Sequence, residues 1–295
     1  MPLTCRPLDD KAVPAWDAFV ASHPEGTFFH RAAWRGIIER AFGHRTHYLL
    51  AERDGAIVGI LPLAHLRTTL FGNTLVSLPF CVYGGPLAAD PETFSALSAA
   101  AEALMRPAGA TALEFRLRDL PPETWLDPDS WTGKEGLYYT FRKPLAATDD
   151  ANLKAIPRKQ RAMVRKGIDH GLRAETTDDP TLLHAIYAES VRNLGTPVFA
   201  RAYFRLLAET FRPDLDMVVV RDGEEAVAAV MNFYWRDEVV PYYGGGTAKA
   251  RACHGNDFMY WAVMARARAR GCTLFDFDEI YRIEDRGPDL ARLRA

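Results

Sequence analysis

The chain has 295 residues, 48% hydrophobic and 25% charged, enough apolar content to bury a core in each of about two domains. Lys and Arg number 36 against 38 Asp and Glu, so a net charge of −2 predicts no wholesale attraction to nucleic acid or anionic lipid, and any polyanion site must be local. Cys5, Cys81, Cys253 and Cys272 form no CxxC pair and have no nearby His at ligand spacing, which argues against zinc and against a disulfide framework.

Leu3 to Leu8 reads as a first strand, with Asp9 or Asp10 capping a helix through Trp16 and Phe19. A second helix follows Thr27, carrying Trp34, Ile37, Ile38 and Phe42 at helical spacing. Strands at Tyr48–Glu52 and Ala56–His65 hinge on Asp54-Gly55, a favoured hairpin turn. A strand over Leu75–Val82, a helix over 91–105 and a strand over 111–117 follow. Residues 119–136 have no period and read as a connector, and Tyr138–Lys143 as a strand finishing the first domain. His44 and His47 lack further ligands nearby and read as surface residues.

The order then recurs. Gly26-Thr27, Arg53-Asp54-Gly55, Tyr83-Gly84-Gly85 and LEFR at Leu113 reappear as Gly195-Thr196, Arg221-Asp222-Gly223, Tyr243-Gly244-Gly245 and LFDF at Leu274. The offset drifts only from 169 residues (Gly26 to Gly195) to 161 (Leu113 to Leu274), which predicts two copies of one α/β unit, with Tyr83 equivalent to Tyr243 and Leu113 to Leu274. The predicted domains are 1–148 and 149–277, followed by an irregular charged tail, 278–295.

The opening of the second copy is the most charged stretch of the chain. Pro157 suits a first helical turn and Gly171 a C-terminal cap, so Lys154 to Arg173 predicts an amphipathic helix. Arg158, Arg161 and Arg165 share a face by their spacing, and Lys159 and Lys166 add charge, making a candidate phosphate-binding surface against the alternative of a solvated helix. Further on, Gly244, Gly245 and Gly246 would let backbone N–H groups approach a ligand, and a helix beginning near Asn256-Asp257 would aim its positive end at the same place. Both features also have purely structural explanations. An amine nucleophile must lose a proton, and Asp257, Asp276, Tyr242 and His254 are the available groups, none singled out by spacing. Tyr243, Asn256, Tyr260 and Trp261 join the candidate substrate-binding set, Tyr260 and Trp261 also being read as core residues.

The stretches IPRKQRAMVRKGIDHGL from Ile156, GTPVFARAYFRLL from Gly195, VVPYYGGGTAKARACHGNDFMYW from Val239 and LFDF at Leu274 carry a family resemblance. The duplicated unit resembles the GNAT acyltransferase fold, and in combination the chain is similar to the FemAB group of aminoacyl and peptidyl transferases, most of all the FemAB-like proteins of PEP-CTERM/XrtA exosortase and exopolysaccharide loci. The resemblance implies an α/β (α+β) fold of two tandem GNAT-like domains and a cytoplasmic, at most peripherally membrane-attached, transferase. It would form an amide between an aminoacyl-tRNA, or another activated acyl donor, and a glycan, lipid-linked or peptide acceptor, without cofactor or DNA. The segment Arg251-Ala252-Cys253-His254-Gly255-Asn256 departs from the Arg/Gln-x-x-Gly-x-Gly/Ala pyrophosphate loop of acetyl-CoA-dependent relatives, which disfavours a conventional N-acetyltransferase. After Phe277 the sequence departs from the family's terminal hairpin, which predicts an uncovered edge at Leu274–Phe277 and leaves an inactive binding or scaffold protein as the alternative.

Overall fold

The computed structural model describes residues 2–68, 72–119, 121–122, 125, 131–133 and 138–281. The chain divides into two compact units, 1–134 and 135–295. In the first, β1 (Thr4–Pro7), β2 (Arg45–Arg53), β3 (Ala56–Thr68), β4 (Gly72–Ser77) and β6 (Ala112–Glu114) lie side by side in that order, and β5 (Leu87–Ala88) also pairs with β3. Helices α1 (Val13–Ser22) and α2 (Trp34–Phe42) connect β1 to β2, and α3 (Pro91–Ala108) precedes β6. Asp9 accepts from the Ala12 N–H and Thr27 from the Phe29 N–H, so the predicted caps hold short 3₁₀ turns ahead of the two helices.

The second unit repeats this order. Strands β8 (Arg173–Thr177), β9 (Leu215–Asp222), β10 (Glu225–Trp235), β11 (Glu238–Gly246) and β12 (Leu274–Tyr281) lie side by side. Helices α6 (Pro180–Asn193) and α7 (Arg201–Phe211) follow β8, and α8 (Ala248–Cys253) and α9 (Gly255–Ala269) join β11 to β12. In both units the sheet is antiparallel until its fourth and fifth members, which run parallel.

The registers repeat to the residue. In the first unit Glu52 faces Ile57 and Ala51 faces Gly59, leaving Val58 as a bulge; in the second, Arg221 faces Ala226 and Val220 faces Ala228, leaving Val227. The parallel pairs Thr74/Ala112 and Leu75/Leu113 match Glu238/Leu274 and Val239/Phe275. The equivalent of Leu113 is therefore Phe275, one position beyond the sequence expectation. Tyr83 has no strand equivalent, because Leu78 (φ 49) and Phe80 (φ 66) turn the chain out of the sheet and pairing with β3 resumes only at Leu87. The strand expected over Leu75–Val82 ends at Ser77 for the same reason.

Two further expectations are corrected. The strand β7 (Tyr138–Pro144) does not finish the first sheet: it lies antiparallel to β12 and forms the edge of the second. Consequently β12 is not an uncovered edge, since β11 flanks it on one side and β7 on the other. A strand from the start of the unit, ahead of β8, occupies the position beside β12, and the part of the charged tail after Tyr281 lies outside the described residues, as does most of the 119–136 connector.

Candidate functional site

The predicted basic helix is two helices. Pro157 biases the preceding Ile156 to extended backbone (ψ 136), which ends α4 (Asp149–Ala155) and starts α5 (Arg158–Asp169). Inside α5, Val164 and Gly167 are buried. A Cβ on Gly167 would stand 3.0 Å from Phe258 Cβ and 3.5 Å from the His254 carbonyl oxygen, so a glycine here lets α5 press against the first turns of α9. Arg158, Lys159, Arg165 and Lys166 are exposed, and no ion-pair partner is found for them among the described residues. Arg161 differs: its guanidinium donates to the Lys154 carbonyl (2.6 Å) and ties the two helices together.

Strands β10 and β11 stay paired out to Gly246, whereas β11 and β12 pair only at Glu238/Leu274 and Val239/Phe275. Beyond those two pairs β12 continues along β7, and the parallel strands part. A β-bulge in the β10/β11 pairing falls at Tyr242, where Met231 faces Tyr243 and Asn232 faces Pro241. The result is a gap flanked by Tyr242 to Gly246 on β11 and by the continuation of β12, with α8 and α9 following directly from Gly246. Such an opening in a sheet exposes backbone donors and acceptors that a ligand can engage as a strand would.

The glycine run is a packing device. Cβ atoms on Gly244, Gly245 and Gly246 would stand 2.9 Å from Val230 Cγ2, 2.5 Å from Ser190 Cβ and 2.4 Å from Asn256 Oδ1 respectively. Bare backbone at these positions lets β11 lie against α6 and the start of α9, a steric requirement beside the sequence expectation of ligand approach at Gly244 and Gly245. Gly245→Val is expected to destabilise the protein by about 1–3 kcal/mol through overpacking against Ser190, and urea unfolding checks it.

Tyr243, 5% exposed, is a core residue, its hydroxyl bonded to that of Tyr203 (2.8 Å) and its ring edge-on to Tyr187, Phe199, Phe204 and Tyr242. Tyr242 is half-buried against Phe233. Asp257 lies in the first turn of α9, half-buried, and burial raises its carboxyl above the usual range while His254 opposes the rise. Tyr260 is not a core side chain: it is 38% exposed and lies over Phe277 (ring centroids 6.2 Å). Trp261 is half-buried beside Phe258, with its indole N–H buried and without a partner among the described residues.

Asp276 is fully buried and faces Arg142 of β7, whose Nε stands 3.6 Å from Oδ2. The same guanidinium reaches Glu238 of β11 at 2.6 Å. Burial, reinforced by a hydrogen bond with Asp276, pushes the Glu238 carboxyl up to about 7 against the pull of Arg142. Glu238 was not legible as a candidate, because an acid just after the Arg236-Asp237 turn reads as solvated. Its one sequence signal is the equally unusual Asp276 between two phenylalanines. No group of His, Cys, Asp and Glu suited to a metal occurs among the described residues.

Residues 154–281 match the acetyltransferase (GNAT) domain family. No curated protein matches the chain. Among solved structures, FemX superposes with a TM-score of 0.71 at 15% identity, covering 99% of this chain and 93% of that one. A tandem GNAT protein from the clavulanic acid biosynthesis pathway gives 0.57 at 14%, covering 99% and 93%. The C-terminal domain of a putative lysylphosphatidylglycerol synthetase from Agrobacterium fabrum gives 0.55 at 14%, covering 93% and 80%. At these identities the likeness is one of fold, and it agrees with the repeated strand order and register. Residues 154–281 thus match a GNAT acetyltransferase domain, and the whole chain has the fold of two tandem GNAT-like units.

Proposed function

We propose that the chain transfers an aminoacyl group from aminoacyl-tRNA to an amine on a cell-envelope or exopolysaccharide-related acceptor, whether glycan, lipid-linked or peptide, and does so in the cytoplasm without a cofactor. The observation carrying this reading is the seating of α5 on α9: Gly167 brings a helix with four exposed cations, without ion-pair partners among the described residues, against the start of the helix that leads out of the β11/β12 gap. Exposed cations there suit the phosphates of an RNA whose acylated end enters the gap, and the chain's near-neutral total charge restricts that attraction to this place. Lysylphosphatidylglycerol synthetase and FemX share the fold, which fits transfer to envelope components. The conventional acetyl-CoA alternative is disfavoured by the departure of residues 251–256 from a pyrophosphate loop. The inactive-scaffold alternative loses its main support with β7 paired to β12.

Replacing Arg158, Lys159, Arg165 and Lys166 together by Gln tests the reading. Binding of bulk aminoacyl-tRNA, followed by fluorescence anisotropy across a salt series, is expected to weaken, with the log–log salt slope flattening by about 3 for four lost phosphate contacts. Unchanged affinity and slope would leave α5 a solvated helix.

A further inference from the structure

We propose that the loop joining α6 to α7, residues 194–200, is a docking surface for an anionic lipid bilayer, held there by three arginines and by insertion of Leu194 among the headgroups. The surface stands independently of the acyl-transfer reading above.

Both ends of the loop are pinned. Where α6 stops, the Gly195 N–H donates to the Arg192 carbonyl (3.0 Å) and the Thr196 N–H to the Val191 carbonyl (3.3 Å), with Gly195 in the left-handed region (φ 75) that such a stop requires. Where α7 begins, the His184 ring donates to the Phe199 carbonyl (2.9 Å), and the Phe199 ring packs on Tyr203 and Tyr243. Between these anchors Leu194 is 69% exposed, the most exposed large apolar side chain among the described residues. Pro197, at the centre of the loop, is exposed as well.

The charge around Leu194 is of one sign. From Ser190 to Ala208 the chain carries Arg192, Arg201 and Arg205 and no Asp or Glu; all three arginines are exposed, and no ion-pair partner is found for them among the described residues. Arg201 and Arg205, one turn apart, share the face of α7 turned away from its buried Tyr203, Phe204 and Leu207. Of the acids that bracket the stretch, Glu189 accepts from the Ala248 N–H (2.9 Å), and Glu209 lies a turn beyond Arg205. Cations alone would suit RNA phosphates equally, but an apolar side chain held out in water among them gains nothing from phosphates and is stabilised by burial in lipid. The last turn of α6 also lies on β11, where a Cβ on Gly245 would stand 2.5 Å from Ser190 Cβ. Leu194 follows Ser190 by one turn, so docking through it brings the flank of the β11/β12 gap toward the headgroups.

Sedimentation of the full-length protein with lipid vesicles tests the surface. Wild type is expected to pellet with vesicles of mixed phosphatidylcholine and phosphatidylglycerol, to stay in solution with phosphatidylcholine alone, and to be released as salt rises. Joint replacement of Arg192, Arg201 and Arg205 by Gln should weaken partitioning about 100-fold, and Leu194→Ser about 10-fold, with thermal melts showing both variants folded. Leu194→Trp should instead tighten it, Trp being favoured at the membrane–water interface. A wild type that leaves anionic vesicles unbound overturns the proposal. Loop variants that bind as wild type, while Gln at Arg158, Lys159, Arg165 and Lys166 removes binding, assign the contact to α5 and overturn it too. If the loop-arginine variant loses bulk aminoacyl-tRNA while Leu194→Ser partitions as wild type, the loop is an RNA surface and the bilayer assignment falls.

Discussion

Replacing Asp216 by alanine is expected to cost the second unit about 2–3 kcal/mol, chiefly because the Asn232 and Tyr234 donors lose their acceptor. One carboxylate oxygen accepts from Asn232 Nδ2 (2.9 Å), and the other from the Tyr234 hydroxyl (2.9 Å) and Arg266, with Arg270 3.6 Å away. Only 10% of the side chain is exposed. Its loss strands an amide donor, a phenol and a guanidinium in or beside the core at once. Burial and Asp216 together raise the Tyr234 phenol far above its ordinary value, so it stays a donor and cannot relieve the deficit by ionising. Urea unfolding monitored by circular dichroism checks the expectation, with Asp216→Asn, which keeps an acceptor, falling between wild type and alanine. A loss under 1 kcal/mol for the alanine variant would contradict the network.

Tyr243→Ala is expected to cost about 3–5 kcal/mol, as for a large aromatic removed from a packed core. Tyr243→Phe should cost only about 1–2 kcal/mol, since it leaves the ring contacts and removes only the hydroxyl bond to Tyr203. The same urea measurement separates the two, and a wide gap between them identifies Tyr243 as a packing residue whose ring, more than its hydroxyl, matters. If instead Tyr243→Ala left stability unchanged and lowered acceptor binding, the side chain would belong to the substrate site as its sequence position suggested.

The local sequence signals translated into structure where contacts are short in sequence. The Asp54-Gly55 turn adopts left-handed backbone at both residues (φ 54 and 77), Asp222 precedes a left-handed Gly223 (φ 61), and each hairpin places its bulge two residues into the second strand. The repeat offset therefore conveyed strand order for both units. What could not be read was partner choice between distant segments. Nothing local to Tyr138–Pro144 says that it pairs with Leu274–Tyr281, more than a hundred residues on, instead of closing the sheet behind it. Excursions were also hidden: Leu78 and Phe80 are apolar residues in a strand-like run, and their left-handed backbone is imposed by the loop they enter. At the site, the glycine run was legible as a close approach, but its packing partners Ser190 and Asn256 were not. Glu238 was missed because its chemistry depends on Arg142 and Asp276, which come from two other strands.

A crystal structure of the protein soaked with a stable amide-linked aminoacyl-adenosine, the acylated end of the proposed donor, tests the central claim most directly. The account predicts density for the aminoacyl group between β11 and β12 where the strands part, bordered by Tyr242 and the β12 chain beyond Phe275. Density elsewhere on the molecule, with the β11/β12 gap unoccupied at saturating ligand, would contradict it.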